Sequence, residues 1–290
     1  MKICFLSIDV ESASARSERA SADNKEKDFE GIEKLDNILN VFRKHNVGAT
    51  LFVTGEVLEK YPELVKKWAK EYEIGCHNYY HVPLNKLNLI ERERQVLDFI
   101  DLFKDNFDVP PKGFRAPRNI IDNEQFPILE KYGFLYDASV FPRYPWRLKK
   151  YEGHNGRAPV EPYWPVKDDY RKRIYPVKSR EAGSPAATFN GVKILEIPES
   201  PAPFSIPLVG TWLRKLGVFF FKILFWLKKP QFISFSMHSW DGVRFKGKSS
   251  RNSGEKYLKQ LDEMLGFLKK IGYEFKDGGQ IYEQFSKNRE

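Results

Sequence analysis

Two histidines four residues apart, His77 and His81, directly follow a short apolar run at residues 74–76. Histidines with this spacing face each other across one helical turn, which suits two imidazole ligands of one metal. The chain has only five histidines, so this pair is informative; the alternative is two unrelated surface histidines. A carboxylate as third ligand would leave a fourth position open for water, as in catalytic zinc sites.

Two carboxylates, Asp9 and Glu11, close the first apolar run of the chain. In extended backbone, residues two apart point to the same side, so both carboxylates share one region. They can both stay ionised if their environments differ, and a cation beside one of them provides that difference. The alternative is a solvated strand end.

Two other residues with useful chemistry also stand where apolar runs end. Arg115 could orient a carboxylate by paired hydrogen bonds, or make a purely structural ion pair. A single histidine in apolar company, such as His238, is more often a core residue, but at a strand end it can face a site. Active sites of parallel α/β folds gather at the carboxyl ends of the strands.

Apolar runs alternate with helical patterns along most of the chain, which predicts an α/β fold with a mainly parallel sheet, open or closed into a barrel. The predicted strands are residues 2–9, 49–53, 74–76, 113–117, 134–137, 193–197, 232–237 and 273–276. We predict a single domain over 1–290 with an irregular insertion at about 142–192, rich in proline and aromatic residues. Such an insertion is typical of a lid or substrate loop; a disordered segment is the alternative.

The composition narrows the possible binding partners and the cellular compartment of the protein. A net charge of +9 favours acidic partners, yet no motif supports nucleic-acid binding. Two cysteines are too few for a disulfide scaffold, and Cys4 and Cys76 lie in apolar runs, which predicts buried free thiols. The start of the chain does not match a signal peptide, so we expect a cytoplasmic protein.

The segment 213–229 combines apolar and basic residues at helical spacing. One predicted face carries six apolar residues: Leu213, Leu216, Phe220, Ile223, Leu224 and Leu227. Lysines recur every seven residues on the other face, at Lys215, Lys222 and Lys229. The charges argue against a membrane span. The apolar face either packs on the barrel or makes peripheral contact with a membrane surface, which would place the protein at its inner face.

In this order the motifs resemble those of the polysaccharide deacetylase family, also called NodB-homology or carbohydrate esterase family 4. The resemblance runs from the first strand to His238 and implies a distorted (β/α) barrel of about seven mainly parallel strands. The acidic pair here is Asp-x-Glu where the family commonly has adjacent aspartates. In the histidine motif, Asn78 stands where the family has a serine or threonine. After Arg115-Ala116-Pro117, Arg118 stands where the family commonly has an aromatic residue. The fourth motif is poorly matched, so Asp137 receives no role.

The resemblance also implies roles for the site residues. Asp9 would be the catalytic base, held by Arg115, and His238 the general acid. Glu11, His77 and His81 would bind a divalent metal, with zinc as the first candidate. The alternative is that Asp9 and Glu11 exchange these two roles. The implied reaction is hydrolysis of an N-acyl group, usually acetyl, from an amino sugar of a polysaccharide or glycan precursor. Alternatives are a deformylase of a lipid-linked amino sugar, a metal-free cyclic amidohydrolase and a non-catalytic glycan-binding protein.

Overall fold

The computed structural model describes residues 2–13, 28–142, 158–174, 191–201, 207–244 and 251–287. Its centre is an eight-stranded sheet in the order β10-β1-β2-β3-β4-β5-β8, with β9 also paired to β1, and every pairing in it is parallel. The strands curl into a half-barrel. The predicted α/β architecture of mainly parallel strands is therefore confirmed.

The strands of this sheet are short except for β1 and β9, which lie side by side. They are β1 (Lys2–Val10), β2 (Thr50–Val53), β3 (Glu73–Cys76), β4 (Gly113–Phe114), β5 (Tyr136–Asp137), β8 (Leu195–Glu196), β9 (Phe232–His238) and β10 (Tyr273–Lys276). A separate antiparallel hairpin consists of β6 (Pro165–Val166) and β7 (Asp169–Arg173).

Helices follow most strands. They are α1 (Glu30–Glu33), α2 (Asp36–His45), α3 (Gly55–Lys60), α4 (Pro62–Ala69), α5 (Leu89–Lys104), α6 (Gln125–Lys131), α7 (Gly210–Lys228), α8 (Glu255–Lys270) and α9 (Gly278–Ser286). Their ends follow from local sequence. Helix α5 starts at a capping box formed by Asn88 and Glu91, and α2 ends at Asn46 in the left-handed conformation.

The alternation of side chains along β1 separates two apolar regions. Leu6 and Ile8 point into the core between the sheet and the helices, whereas Ile3 and Phe5 point into the interior of the half-barrel. Because side chains alternate along a strand, Asp9 shares the interior side with Phe5. The first carboxylate of the sequence motif thus lies at the open end of an apolar interior.

The register of the sheet brings the strand ends to one level. Asp9 lies opposite His238 on β9. Further along the sheet, Cys76 of β3 lies opposite Phe114 of β4, and Phe114 lies opposite Asp137 of β5. The residues that follow β3 and β4 therefore share this edge. The predicted gathering of site residues at the carboxyl edge results directly from this register.

The predicted insertion at 142–192 is partly regular. Its described stretch, residues 158–174, contains the β6–β7 hairpin, and Tyr163 is buried and exchanges backbone hydrogen bonds with Glu196 of β8. The prediction of an irregular segment is therefore wrong for this stretch, because the hairpin extends the packing of β8. Residues 143–157 and 175–190 lie outside the described residues, and the single domain stays a prediction.

Helix α7 forms as predicted, but with a different buried face. Gly217 interrupts the helical backbone with φ 78° and ψ 166°, which shifts the helical phase in the second half. Leu213 and Leu224 of the predicted apolar face are buried, but Leu216, Ile223 and Leu227 are exposed. Among the described residues, no helix is both long and apolar enough to cross a membrane.

Candidate metal centre and active site

Glu11, His77 and His81 form one cluster at the carboxyl edge of the sheet. One ligand atom from each lies within 4.8 Å of the others. Glu11 and His77 are buried, and Glu11 Oε2 directly contacts His81 Nε2. Burial raises the pKa of Glu11, but His81 and His77 outweigh it and hold that pKa below its usual range. The cluster thus combines an ionised carboxylate with two imidazoles.

A left-handed turn, not a helix, brings the two histidines together. Asn78 has φ 64°, and the backbone oxygen of Asn78 accepts a hydrogen bond from the N–H of Gly55. Gly55 is required there, because a Cβ would lie 2.5 Å from the ring of Tyr79. The expected helical turn was therefore wrong, although the pairing of His77 with His81 is observed, with ring centroids 5.3 Å apart.

The arrangement of nitrogen and oxygen atoms in the cluster fits a divalent cation. His77 Nδ1 donates to the backbone oxygen of Arg115 at 2.8 Å, which leaves Nε2 as the lone-pair atom facing the cluster. That Nε2 is buried and has no hydrogen-bond partner within the described part of the chain. It lies 3.6 Å from Glu11 Oε2, a separation suited to two ligands of one small cation.

Asp9 is not part of the ligand cluster and pairs with Arg115. The Arg115 Nη1 donates to Asp9 Oδ1 at 2.8 Å and to Ser7 Oγ at 2.9 Å, and Nε donates to the backbone oxygen of Ala138. Its guanidinium carbon also lies 4.3 Å from the ring centroid of Phe52. Burial raises the pKa of Asp9, but Arg115, His77 and His238 together outweigh this effect and hold the carboxyl pKa below its ordinary value.

Glu199 is a second carboxylate beside Arg115 that the sequence analysis missed. Its Oε1 lies 3.3 Å from Arg115 Nη2, and it is almost fully buried. Burial raises the pKa of Glu199 despite the nearby guanidinium. Glu199 lies three residues beyond the end of β8, level with the other site residues. Its position after a strand could have marked it as a candidate, but no sequence motif includes it.

His238 lies at the mouth of the site, with a third of its side chain exposed. Its Nε2 is 3.9 Å from Glu11 Oε1, and its ring stacks on Trp240 with centroids 4.5 Å apart. Asp241 Oδ2 accepts the backbone N–H of His238 and lies 3.9 Å from its Nδ1. The His-x-x-Asp spacing was a usable signal for Asp241 that the sequence analysis overlooked.

Asp137, which received no role, supports the loop after Arg115. Its carboxylate accepts hydrogen bonds from the hydroxyl of Ser139 at 2.6 Å and from the backbone N–H of Ser139 at 3.0 Å. The same hydroxyl accepts the backbone N–H of Ala116 at 2.7 Å. Asp137 therefore fixes the backbone beside Arg115 and is placed as a supporting residue.

A buried pair of carboxyls, Asp137 and Glu196, predicts an unusual pH dependence of stability. Burial raises the pKa of both, and that of Glu196 well above its ordinary value, so the folded state keeps a proton between them. The unfolded chain releases this proton above the usual glutamate pKa of about 4.3. The pair thus lowers the free energy of unfolding by about 1.4 kcal/mol per pH unit as pH rises toward the folded pKa.

Glu196→Gln keeps a donor toward Asp137 and an acceptor for the backbone N–H of Val140, but removes the titrating proton. We expect its advantage over wild type to grow from pH 5 to pH 8 in urea unfolding. Glu63→Gln, at an 84% exposed side chain, is the matched control and should run parallel to wild type. Parallel curves for Glu196→Gln would show that the pair holds no extra proton.

Comparison with known proteins shows which family part of this chain is similar to. Residues 30–136 match the family model described as polysaccharide deacetylase. That stretch contains His77, His81 and Arg115, while Asp9, Glu11 and His238 lie outside it and are placed by the fold. The match over residues 30–136 agrees with the resemblance recognised in the sequence.

Two curated relatives carry names from this family. A peptidoglycan deacetylase of Helicobacter pylori is 27% identical over 171 residues, which are 59% of this chain and 54% of the relative. A peptidoglycan-N-acetylglucosamine deacetylase of Bacillus cereus is 36% identical over 95 residues, 32% of this chain and 34% of the relative. The chain thus matches about half or less of each relative. Both names denote hydrolases of carbon–nitrogen bonds, the expected enzyme class.

The fold has a solved counterpart over nearly its full length. A structure from Mycobacterium smegmatis, described as a polysaccharide deacetylase, superposes with a TM-score of 0.65. The match covers 99% of this chain and 92% of the other at 16% sequence identity. At that identity the likeness establishes the shared fold and nothing further.

Proposed function

We propose that this protein is a metal-dependent hydrolase that removes an N-acetyl group from an amino sugar of a polysaccharide or glycan precursor. The observation that carries the proposal is the Glu11–His77–His81 cluster, with Asp9 and His238 level with it on adjacent strands. A non-catalytic binding protein would have no need for a preserved base, acid and ligand set together. The names of the relatives support an acetylated amino sugar as substrate.

The residues divide the hydrolysis between them. Glu11, His77 and His81 would hold the cation, which when bound supplies Lewis acidity to the acyl oxygen and to water. Asp9, kept ionised by Arg115, accepts the proton of the attacking water as it adds to the amide carbon. His238, at the exposed mouth, donates a proton to the departing sugar amine. Breaking the carbon–nitrogen bond yields a free amino sugar and acetate.

The two-step test starts with metal content. We expect mass spectrometry to find about one divalent metal ion per purified wild-type chain, with zinc as the first candidate. His77→Ala/His81→Ala should lose this metal, whereas His45→Ala should keep it. His45 is a suitable control because it pairs with Asp262 on a helical surface away from the cluster. A wild type that takes up no metal even after reconstitution with zinc would remove the basis of the proposal.

Product analysis tests the reaction itself. With N-acetylglucosamine oligomers or peptidoglycan fragments, the metal-loaded protein should release acetate, and the double variant should not. Release of formate from an N-formyl sugar, without acetate release, would instead support the deformylase alternative. Activity that survives complete chelation would support a metal-free amidohydrolase. The cytoplasmic location at the inner face of a membrane stays a prediction.

A further inference from the structure

Helix α7 presents to solvent an apolar stripe that does not take part in the packing of the described residues. The described residues include ten exposed large hydrophobic side chains, and five of them lie within twelve residues of α7. They are Leu216 (37% exposed), Phe219 (77%), Ile223 (42%), Trp226 (71%) and Leu227 (62%). After the break at Gly217, Phe219, Ile223 and Trp226 follow at steps of four and three residues, which places them along one side of the helix, with Leu227 next to Trp226. Leu216 lies just before the break. We define this set as the α7 stripe.

The opposite side of α7 already packs on the protein, so the stripe is not a displaced core face. Phe221 and Phe225 are buried, and the Phe225 ring lies 6.2 Å from that of Tyr273 and 6.4 Å from that of Phe267. Lys222 forms an ion pair with Glu263 of α8 at 2.6 Å. The helix is thus fixed in orientation, and the α7 stripe faces outward.

The charged residues of α7 itself are all basic. Exposed lysines flank it at both ends, Lys215 before it and Lys228 and Lys229 after it. No acidic residue occurs between residues 207 and 229. Lysines around Trp, Phe and Leu are typical of helices that lie in the interface of an anionic membrane. A membrane of this kind complements the stripe in both polarity and charge.

A second copy of the chain fits the same surface less well. Pairing two stripes about a two-fold axis would bring the lysines of one copy next to those of the other. Like charges placed together at an interface oppose association. A bilayer with anionic headgroups is opposite in charge to the exposed lysines at both ends of the stripe.

We propose that the α7 stripe docks the protein onto the surface of an anionic lipid bilayer. The helix lies in the interface plane, with the stripe among the headgroups and upper acyl chains, and Lys215, Lys228 and Lys229 contact lipid phosphates. The start of α7 lies near the active site, since Arg214 forms a 2.9 Å ion pair with Asp241, whose carboxylate accepts the backbone N–H of His238. Docking therefore holds at the membrane a helix whose start lies near the active site.

The test is vesicle co-sedimentation at low salt. Wild type should bind vesicles of phosphatidylcholine with phosphatidylglycerol, and bind pure phosphatidylcholine at least tenfold more weakly. Phe219→Ser/Trp226→Ser/Leu227→Ser should lose binding, and Lys215→Gln/Lys228→Gln/Lys229→Gln should weaken it about 100-fold. Ile90→Ser/Val109→Ser, at two equally exposed positions elsewhere (80% and 62%), should bind like wild type.

Three results would overturn this proposal. They are no binding to anionic vesicles, equal loss of binding in the Ile90/Val109 control, or a wild-type dimer in light scattering that the stripe variant converts to monomer. Acetate release from a soluble oligosaccharide should be equal in wild type and the stripe variant. The two proposals can therefore fail separately.

Discussion

Asp9→Asn is expected to reduce kcat for acetate release by about 10²- to 10⁴-fold while leaving the metal content unchanged. The reason is the division of the two carboxylates in the structure. Asp9 is bonded to Arg115 and is not part of the ligand cluster, whereas Glu11 contacts His81. Asparagine keeps the size and an oxygen for Arg115 but cannot accept the proton of water.

Glu11→Gln provides the matched comparison, because it changes the neighbouring carboxylate in the same way. It should lose both the metal and the activity, since a neutral amide is a much poorer ligand than a carboxylate. Metal content and kcat are therefore measured on both variants. If Asp9→Asn loses the metal and Glu11→Gln retains it, the roles of the two residues are exchanged.

The site residues that stand at the ends of strands could be predicted from the sequence alone. Asp9, His77, Arg115 and His238 each follow an apolar run, and in a parallel sheet all such ends meet at one edge. The prediction required only the strands and their common direction, and not their order. For this reason the shared location of these residues could be derived before the structure, although the turn that joins His77 to His81 could not.

Residues held by contacts between distant segments were not predictable. Glu199 is paired with Arg115 across 84 positions of sequence, and no local pattern marks a carboxylate that will be buried beside a guanidinium. The exposed face of α7 was also mispredicted. A single residue, Gly217, leaves the helical conformation and changes which side chains face the core, and helical periodicity assumes no such break.

Arg115→Met is expected to lower the free energy of unfolding by about 3–5 kcal/mol. Arg115 is fully buried between two carboxylates, Asp9 at 2.8 Å and Glu199 at 3.3 Å. Methionine fills much of the same space but leaves both acids without their counter-charge. The loss should be largest at neutral pH and smaller as pH falls toward about 4, because protonated carboxyls need no counter-charge.

The measurement is urea unfolding in the presence of a chelator, so that bound metal does not contribute to stability. Arg94→Met, at an 80% exposed side chain, is the control and should change stability by no more than about 0.5 kcal/mol. Adding Glu199→Gln to Arg115→Met should restore part of the loss, because one of the two unpaired acids is then neutral. A loss below about 1 kcal/mol for Arg115→Met, or no recovery in the double variant, would mean that Arg115 does not neutralise both acids.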